Sequence, residues 1–439
     1  MKKTIRFVSL LTLILLCCNL AIAPAAARSE AETVDYAGSI TLNMRSETAK
    51  QEVTVKTFID GDTTHFYVPE SVMAGGVFKA RYLAINTPET TGRIEEYGKK
   101  ASEFTREKLS NATSIIIESD SEAWNADSTG DRYLVWVWYK TADMAEYRNL
   151  NIEILQNGLA IANSAAQNRY GSVCMNAIAQ AKAQKLHVHS GQKDPDFYYG
   201  EAIELTLKEL RGNLEEYTGK KVAFKGIITT SSNNTVYIEE YDAETDMYFG
   251  MAVYYGYGLS GMGLNVLKVG NEARIVGTLQ YYEAGGTYQV SGLTYKMMKP
   301  KDPENIQKLS EGHTPAFVLT EPERFVNGRV TIVSEEGETK EYDYAPLAMS
   351  TSLSMQNLAV KEIYTTVDEE SSQKGAMTLL CEADGLPVTV RTSVLYDAEQ
   401  KVVTQDALIG KTIDVKGVVD YFDGEYQIKV FSMKNIIIH

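Results

Sequence analysis

The residues best able to do chemistry come early in a chain of 439 residues. Asp60-Gly61-Asp62-Thr63 places two carboxylates in one tight turn. Arg81 and the run Asn86-Thr87-Pro88-Glu89 follow about one hairpin later, and Arg132 about one helix and one strand beyond. Hard oxygens suit a divalent cation, a carboxylate can handle a water proton, and fixed guanidinium groups can hold a five-coordinate phosphorus. The set fits hydrolysis of a phosphodiester. Each piece also has a plain structural use. Asp-Gly is a common turn dipeptide in which both carboxylates cap backbone amides. Glu89 fits an exposed loop, and Arg81 fits a strand arginine paired with a carboxylate. Asp131 directly precedes Arg132 and is placed to shift or neutralise it.

The elements that must position these groups follow from the pattern. Residues 52–59, 65–68 and 77–83 alternate as strands, broken at the Asp-Gly turn. Residues 97–112 read as a helix with Ala101, Phe104 and Leu109 on its apolar side. Residues 114–118 and 133–139 are strands, and 150–160 and 173–186 are helices.

Five blocks, Ile59 to Thr63, Arg81 to Glu89, Tyr97 to Ala101, Arg132 to Val135 and Leu155 to Ala160, keep an order and spacing that resembles the staphylococcal nuclease (thermonuclease) family. The resemblance covers roughly residues 50–190. It implies a small closed barrel of the oligonucleotide/oligosaccharide-binding (OB) type with three helices, which five strands interrupted and followed by helices also fit. It further implies calcium as cofactor and endonucleolytic hydrolysis of DNA and RNA, with little sequence preference and 3′-phosphate products. Residue by residue, it makes Asp62 a calcium ligand together with Asn86 and the main-chain carbonyl of Thr87. Asp60 polarises bound water from outside the ligand set. Glu89 activates or orients the attacking water, and Arg81 and Arg132 bind the phosphate.

This sequence departs from the family in three places. Asn86 stands where the family usually has aspartate, so one negative charge is missing from the ligand set. Thr129-Gly130-Asp131-Arg132 replaces the usual Tyr-Gly-Arg. After Gly158-Leu159-Ala160 come Asn163-Ser164-Ala165-Ala166, where tyrosines often pack on substrate, and Tyr170 is the nearest substitute.

The rest of the chain carries a repeat. Gly270 to Tyr282 aligns with Gly410 to Phe422, each followed by a turn and then Tyr288-Gln289-Val290 or Tyr426-Gln427-Ile428, and Gly219 to Gly226 echoes the opening. Paired strands bent at glycines point to two further OB-like barrels, at 200–300 and 315–439, resembling the nucleic-acid-binding modules appended to some extracellular nucleases. The fold class expected is mainly β with α: one nuclease barrel at 51–190 and two smaller barrels.

Charge is uneven. The chain has 43 Lys+Arg and 58 Asp+Glu, net −15. Residues 50–190 hold 15 basic and 17 acidic residues, net −2, whereas 191–439 hold 23 and 37, net −14. The C-terminal part therefore repels a polyanion in bulk, so nuclease activity and most nucleic-acid affinity are expected before about residue 192. Gly191 to Pro195 reads as a linker.

Met1 to Arg6 is basic, Phe7 to Ala23 is apolar and Ala25-Ala26-Ala27 is a small-residue site, a secretory signal at 1–27 cleaved after Ala27. Residues 28–50 read as a linker. The mature chain is expected to be extracellular, without stable membrane association and without an obligatory protein partner. An uncleaved leader would instead leave it attached at the membrane or cell surface. Beyond the leader only Cys174 and Cys381 remain, far apart and in different expected domains, which argues against a disulfide. His187 and His189 read as solvated residues at a helix end rather than a metal pair, and Tyr254-Tyr255-Gly256-Tyr257 as packing in a tyrosine-rich barrel. The rival to an enzyme is a weak or inactive array of binding barrels, favoured by Asn86, Asp131 and the missing tyrosines.

Overall fold

The computed structural model describes residues 33–90, 92, 94–333, 339–367, 371 and 373–439, so the expected leader at 1–27 lies outside the described residues. The fold is mainly β, with three closed five-stranded barrels.

The first barrel consists of β1 (Lys50–Phe58), β2 (Thr63–Tyr67), β3 (Val77–Tyr82), β4 (Ser114–Glu118) and β5 (Tyr133–Lys140). They close in the cyclic order β1-β2-β3-β5-β4, antiparallel except for β3 with β5. In β3, Phe78, Ala80 and Tyr82 alternate inward and are buried, which turns Lys79 and Arg81 out of the barrel. In β5 the run Val135 to Tyr139 is buried on both faces. The helix α2 (Leu150–Gln156) covers its outer side, after α1 (Gly98–Ser110) and before α3 (Gly171–Ala183). Asn151 in α2 fastens the closure of the barrel. Its Oδ1 accepts the Val137 N–H at 2.9 Å, and its Nδ2 donates to the carbonyls of Leu83 and Val135 at 2.9 and 3.0 Å.

The second barrel consists of β6 (Lys221–Ser232), β7 (Thr235–Asp242), β8 (Met247–Tyr254), β9 (Glu272–Tyr282) and β10 (Thr287–Ser291). The third consists of β11 (Ser352–Thr365), β12 (Met377–Ala383), β13 (Leu386–Thr392), β14 (Thr412–Phe422) and β15 (Glu425–Val430). Both repeat the cyclic order of the first barrel, with the third and fifth strands parallel. Each barrel also slips register in its first strand against its second, at Val55/Thr57, Ile228/Thr230 and Val360/Glu362. Such a bulge bends a strand enough to belong to both sides of a closed barrel. The repeated glycines have a physical reason: a Cβ on Gly277 would lie 2.5 Å from the Ser291 carbonyl oxygen, and one on Gly417 2.6 Å from that of Lys429.

Several local expectations change. Residues 36–49 are not a free linker, because Ala37 and Leu42 are buried in the core of the first barrel and the Ala37 N–H donates to Gln156 Oε1 at 3.0 Å. The helix expected at 150–160 stops at Gln156, because Gly158 adopts φ +66° with its α-carbon pressed against Leu186. The chain then forms a short strand, Ile161–Ala162, paired with Ile85–Asn86. Residues 191–195 are tied down: Asp194 is 2% exposed, and its Oδ2 accepts the Tyr97 N–H at 2.6 Å. His187–His189 form a half-buried 3-10 turn rather than a solvated helix end, with His187 Nδ1 2.7 Å from the Asn157 carbonyl oxygen. Cys174 and Cys381 are both free and buried, in the first and third barrels, and burial pushes each thiol up to about 12. Among the described residues no helix is long and apolar enough to cross a membrane.

The second and third barrels share one hydrophobic core. At their joint the buried Glu239 accepts the Ser352 N–H at 2.7 Å and the Ser352 hydroxyl at 2.9 Å. Burial pushes its carboxyl above the usual range, opposed by these hydrogen bonds. Beside it, a Cβ on Gly250 would lie 2.6 Å from the Ser350 carbonyl carbon. Backbone cannot yield as a side chain can, so Gly250→Ala is expected to cost about 1–3 kcal/mol. Thermal unfolding should show a lower midpoint; an unchanged midpoint would mean that the joint is looser than described.

Candidate active site

The site is built where the β1–β2 turn is pressed between α1 and the chain that follows β3. Asp60 Oδ1 accepts the Asp62 N–H at 3.0 Å and closes the turn. The Gly61 carbonyl accepts the Thr105 hydroxyl of α1 at 2.6 Å, and the Asp62 carbonyl accepts the Tyr82 N–H at 2.8 Å. Gly61 has no room for a side chain, since a Cβ there would meet Ala101 Cβ and Thr87 Cγ2 at 2.9 Å. Gly98 is equally constrained, because a Cβ would lie 2.5 Å from the Glu89 carbonyl oxygen. Two glycines thus let the carboxylate turn and the Glu89 segment both rest on the start of one helix.

Asp62 is 1% exposed. Its Oδ2 accepts the Thr87 N–H at 2.8 Å, its Oδ1 accepts the Thr63 hydroxyl at 3.1 Å, and Oδ1 also forms an ion pair with Arg81 Nη1. Arg81 Nη2 donates to Asn86 Oδ1 at 2.6 Å. One guanidinium therefore bridges the two side chains expected to hold a cation. Asp60 is also buried, and burial raises its carboxyl above the usual range, opposed chiefly by Arg81. Glu89 is half-buried. Burial and the nearby Asp60 push its carboxyl up, Glu95 adds to this, and Arg81 and Arg132 act the other way. Asp60, Arg81, Glu89 and Arg132 thus feel one another's charge, so the structure brings these sequence-picked residues together.

Arg132 is held differently from the sequence expectation. Asp131 turns away and pairs with Lys79 at 2.9 Å. Asp127 takes its place, with Oδ2 accepting Arg132 Nε at 2.8 Å and lying 2.7 Å from Nη2. The Asp127 carboxyl is stabilised in its charged form by Thr129 and Arg132 against the cost of burial. The signal was present in Asp127-x-Thr129-Gly130, a carboxylate capping its own turn five residues before the arginine. Tyr170 does not replace the missing tyrosines. Its ring packs edge-on against Trp136 and Trp138, with centroids at 5.0 and 5.8 Å.

The oxygens suit a hard cation, and the Arg81 guanidinium between Asp62 and Asn86 marks a place where positive charge is already favoured. Loading calcium there requires Arg81 to leave both oxygens. Among the described residues no group of three or more acidic, histidine or cysteine side chains is arranged around a metal position.

The site also has neighbours that sequence reasoning missed. A cavity of about 700 Å³ opens beside Asn86, Thr87 and Pro88 and reaches Ile161 and His187. On the other side the second barrel meets the segment after Glu89: Gln280 Nε2 donates to the Thr90 carbonyl, and Arg106 of α1 pairs with Glu283 at 2.5 Å.

With this geometry in place, one comparison is decisive. Residues 79–190 match the family model described as Staphylococcal nuclease homologue. The first barrel is a staphylococcal-nuclease-type domain. The match contains Arg81, Asn86, Thr87, Glu89 and Arg132, while Asp60 and Asp62 lie just before it. A nuclease domain followed by two OB-like barrels supports a nuclease-type or nucleic-acid-binding function.

Gly61→Ala tests the wedge that holds the nuclease-domain turn. With three contacts at 2.9 Å the turn must lift from α1 or Thr87. A stability loss of about 1–3 kcal/mol is expected in chemical denaturation. Wild-type stability in this variant would show that the turn is free to move.

Proposed function

We propose that the chain is a calcium-dependent phosphodiesterase that hydrolyses DNA and RNA internally with little sequence preference and leaves 3′-phosphate ends. The observation that carries this reading is the convergence of Asp60, Asp62, Arg81, Asn86, Glu89 and Arg132 on one buried turn of a staphylococcal-nuclease-type domain. The apolar leader at the start of the sequence supports action outside the cytoplasm.

Asp62, Asn86 and Thr87 would hold calcium, which supplies Lewis-acid polarisation of a phosphate oxygen. The rest is the work of protein groups. Arg81 leaves Asp62 and Asn86, and Arg132 turns from Asp127, so that both guanidinium groups can hold non-bridging phosphate oxygens. Glu89, with its proton affinity raised by burial and by Asp60, takes a proton as water attacks phosphorus. The bond from phosphorus to the 5′-oxygen breaks as the new bond to water oxygen forms. The departing 5′-oxygen takes up a proton from solvent water, Glu89 later returns its proton to solvent, and the phosphate stays on the 3′ side.

A second reading has its own observation. Both arginines are bound to carboxylates, Arg81 to Asp62 and Arg132 to Asp127, as in a domain that binds without cleaving. Cleavage of DNA by the purified protein, with calcium and with excess chelator, separates the two. Cleavage only with calcium is expected; undiminished cleavage in chelator would remove the metal from the reading. Asn86→Asp restores the missing ligand charge and should tighten calcium binding on the order of tenfold by calorimetry. Equal or weaker binding would contradict the ligand assignment.

Assayed with calcium, whose charge compensates Asp62 in the Arg81 variant, Arg81→Ala, Glu89→Ala and Arg132→Ala should each lower kcat by about 10²–10⁴-fold with the fold retained. Near-normal turnover in Arg132→Ala would mean that Asp127 keeps this arginine from the phosphate throughout the reaction.

A further inference from the structure

A cleft of about 300 Å³ lies between the first and second barrels. One wall is the nuclease domain: Phe58 and Ile59, next to Asp60, and Thr90, next to Glu89. The other wall is one face of the β9–β10 ladder. Gln280 pairs with Gln289 across that ladder and Tyr282 pairs with Thr287, so Gln280, Tyr282 and Gln289 share the outward face, while Leu279 points to the core. Phe197 of the chain joining the barrels adds another ring. The volume sits at the lower end of the roughly 300–1,000 Å³ range of small-ligand pockets.

The charges around the cleft decide what it can take. Carboxylates outnumber cations there, and its two cations are already paired, Arg106 with Glu283 at 2.5 Å and Lys99 with Glu103 at 3.8 Å. A phosphate is disfavoured. A flat neutral ring with hydrogen-bonding edges fits the aromatic and amide lining. The walls include Ile59 and Thr90, the chain neighbours of Asp60 and Glu89, which puts the cleft within reach of a nucleotide next to a phosphate held by Arg81 and Arg132.

We infer that this cleft is a nucleobase subsite, half of it supplied by the second barrel, that holds a base next to the scissile phosphate. The inference rests on the phosphodiesterase reading above. It gives the second barrel a role that its net acidity argued against, because it offers rings and amides rather than cations. Ser291 donates to Gln280 Oε1, and Gln280 donates to the Thr90 carbonyl, so the face is fixed against the Glu89 segment before a base arrives.

The test uses the full chain with Tyr282→Ala, Tyr282→Phe and a blocking change, Ser102→Trp, on the α1 side of the cleft. Circular dichroism first checks that each is folded. Two substrates are compared, a short single-stranded DNA oligonucleotide and the same strand with every base replaced by an abasic tetrahydrofuran, a diester with no ring to stack. Tyr282→Ala and Ser102→Trp should raise KM for the oligonucleotide about tenfold, the size of one lost stacking contact, and leave the base-free diester unchanged. Tyr282→Phe should behave as wild type. Unchanged oligonucleotide KM in both variants, or an equal loss on both substrates, would overturn the inference. Should the wild-type chain cleave neither substrate, the phosphodiesterase reading falls. Fluorescence-anisotropy binding of the same oligonucleotide in chelator then decides the subsite: weaker binding by both variants sustains it, and equal binding overturns it.

Discussion

A carboxylate with 1% exposure cannot remain charged in a protein interior without compensation, and Asp62 is such a carboxylate. Much of the first barrel's irregular structure answers that constraint. The Thr87 amide, the Thr63 hydroxyl and the Arg81 guanidinium all converge on its two oxygens. Gly61 brings the turn close enough to α1 for Thr105 to hold it, and Gly98 leaves space for the Glu89 segment to pass. Removing Arg81 without supplying another cation would leave the charge stranded. The site is thus a closed electrostatic circuit, and any phosphate or metal would have to enter it by exchange of partners rather than by filling a gap.

That circuit was legible in the sequence to an unequal degree. Asp60, Asp62, Arg81 and Glu89 could be picked because they sit at fixed offsets from strand and turn signals that are local. β3 shows the reason: Phe78, Ala80 and Tyr82 fix which face is inward, so Arg81 must point outward. The partner of Arg132 was not legible by adjacency. Asp131 lies in the bend before β5 and pairs with Lys79, while Asp127 reaches Arg132 through a turn that closes on itself. The closed Asp127–Thr129 turn, not nearness in sequence, chose between the two.

Contacts between barrels were beyond local reading altogether. Gln280 and Thr90 are separated by 190 positions, and nothing around either residue announces the other. The same holds for Ala37 and Leu42, whose polar neighbours read as linker although both side chains lie in the core. By contrast, the two C-terminal barrels could be read from a short repeat, because its glycines are fixed by backbone approach within a single barrel. Three units with one cyclic strand order and a bulge in each first strand then differ mainly in what decorates their rims.

Cys174 and Cys381 have a practical consequence. Each thiol is buried in a different barrel, and burial suppresses the thiolate that oxidants and alkylating reagents attack. In the native state both are chemically silent. A core that opens exposes its own sulfur, so the pace at which each cysteine is modified is a clock for the opening of the core that buries it, the first barrel's for Cys174 and the one shared by the second and third barrels for Cys381. The chain therefore carries two intrinsic reporters, one in the first barrel and one in the joined C-terminal pair, that distinguish local breathing from global unfolding without any added label.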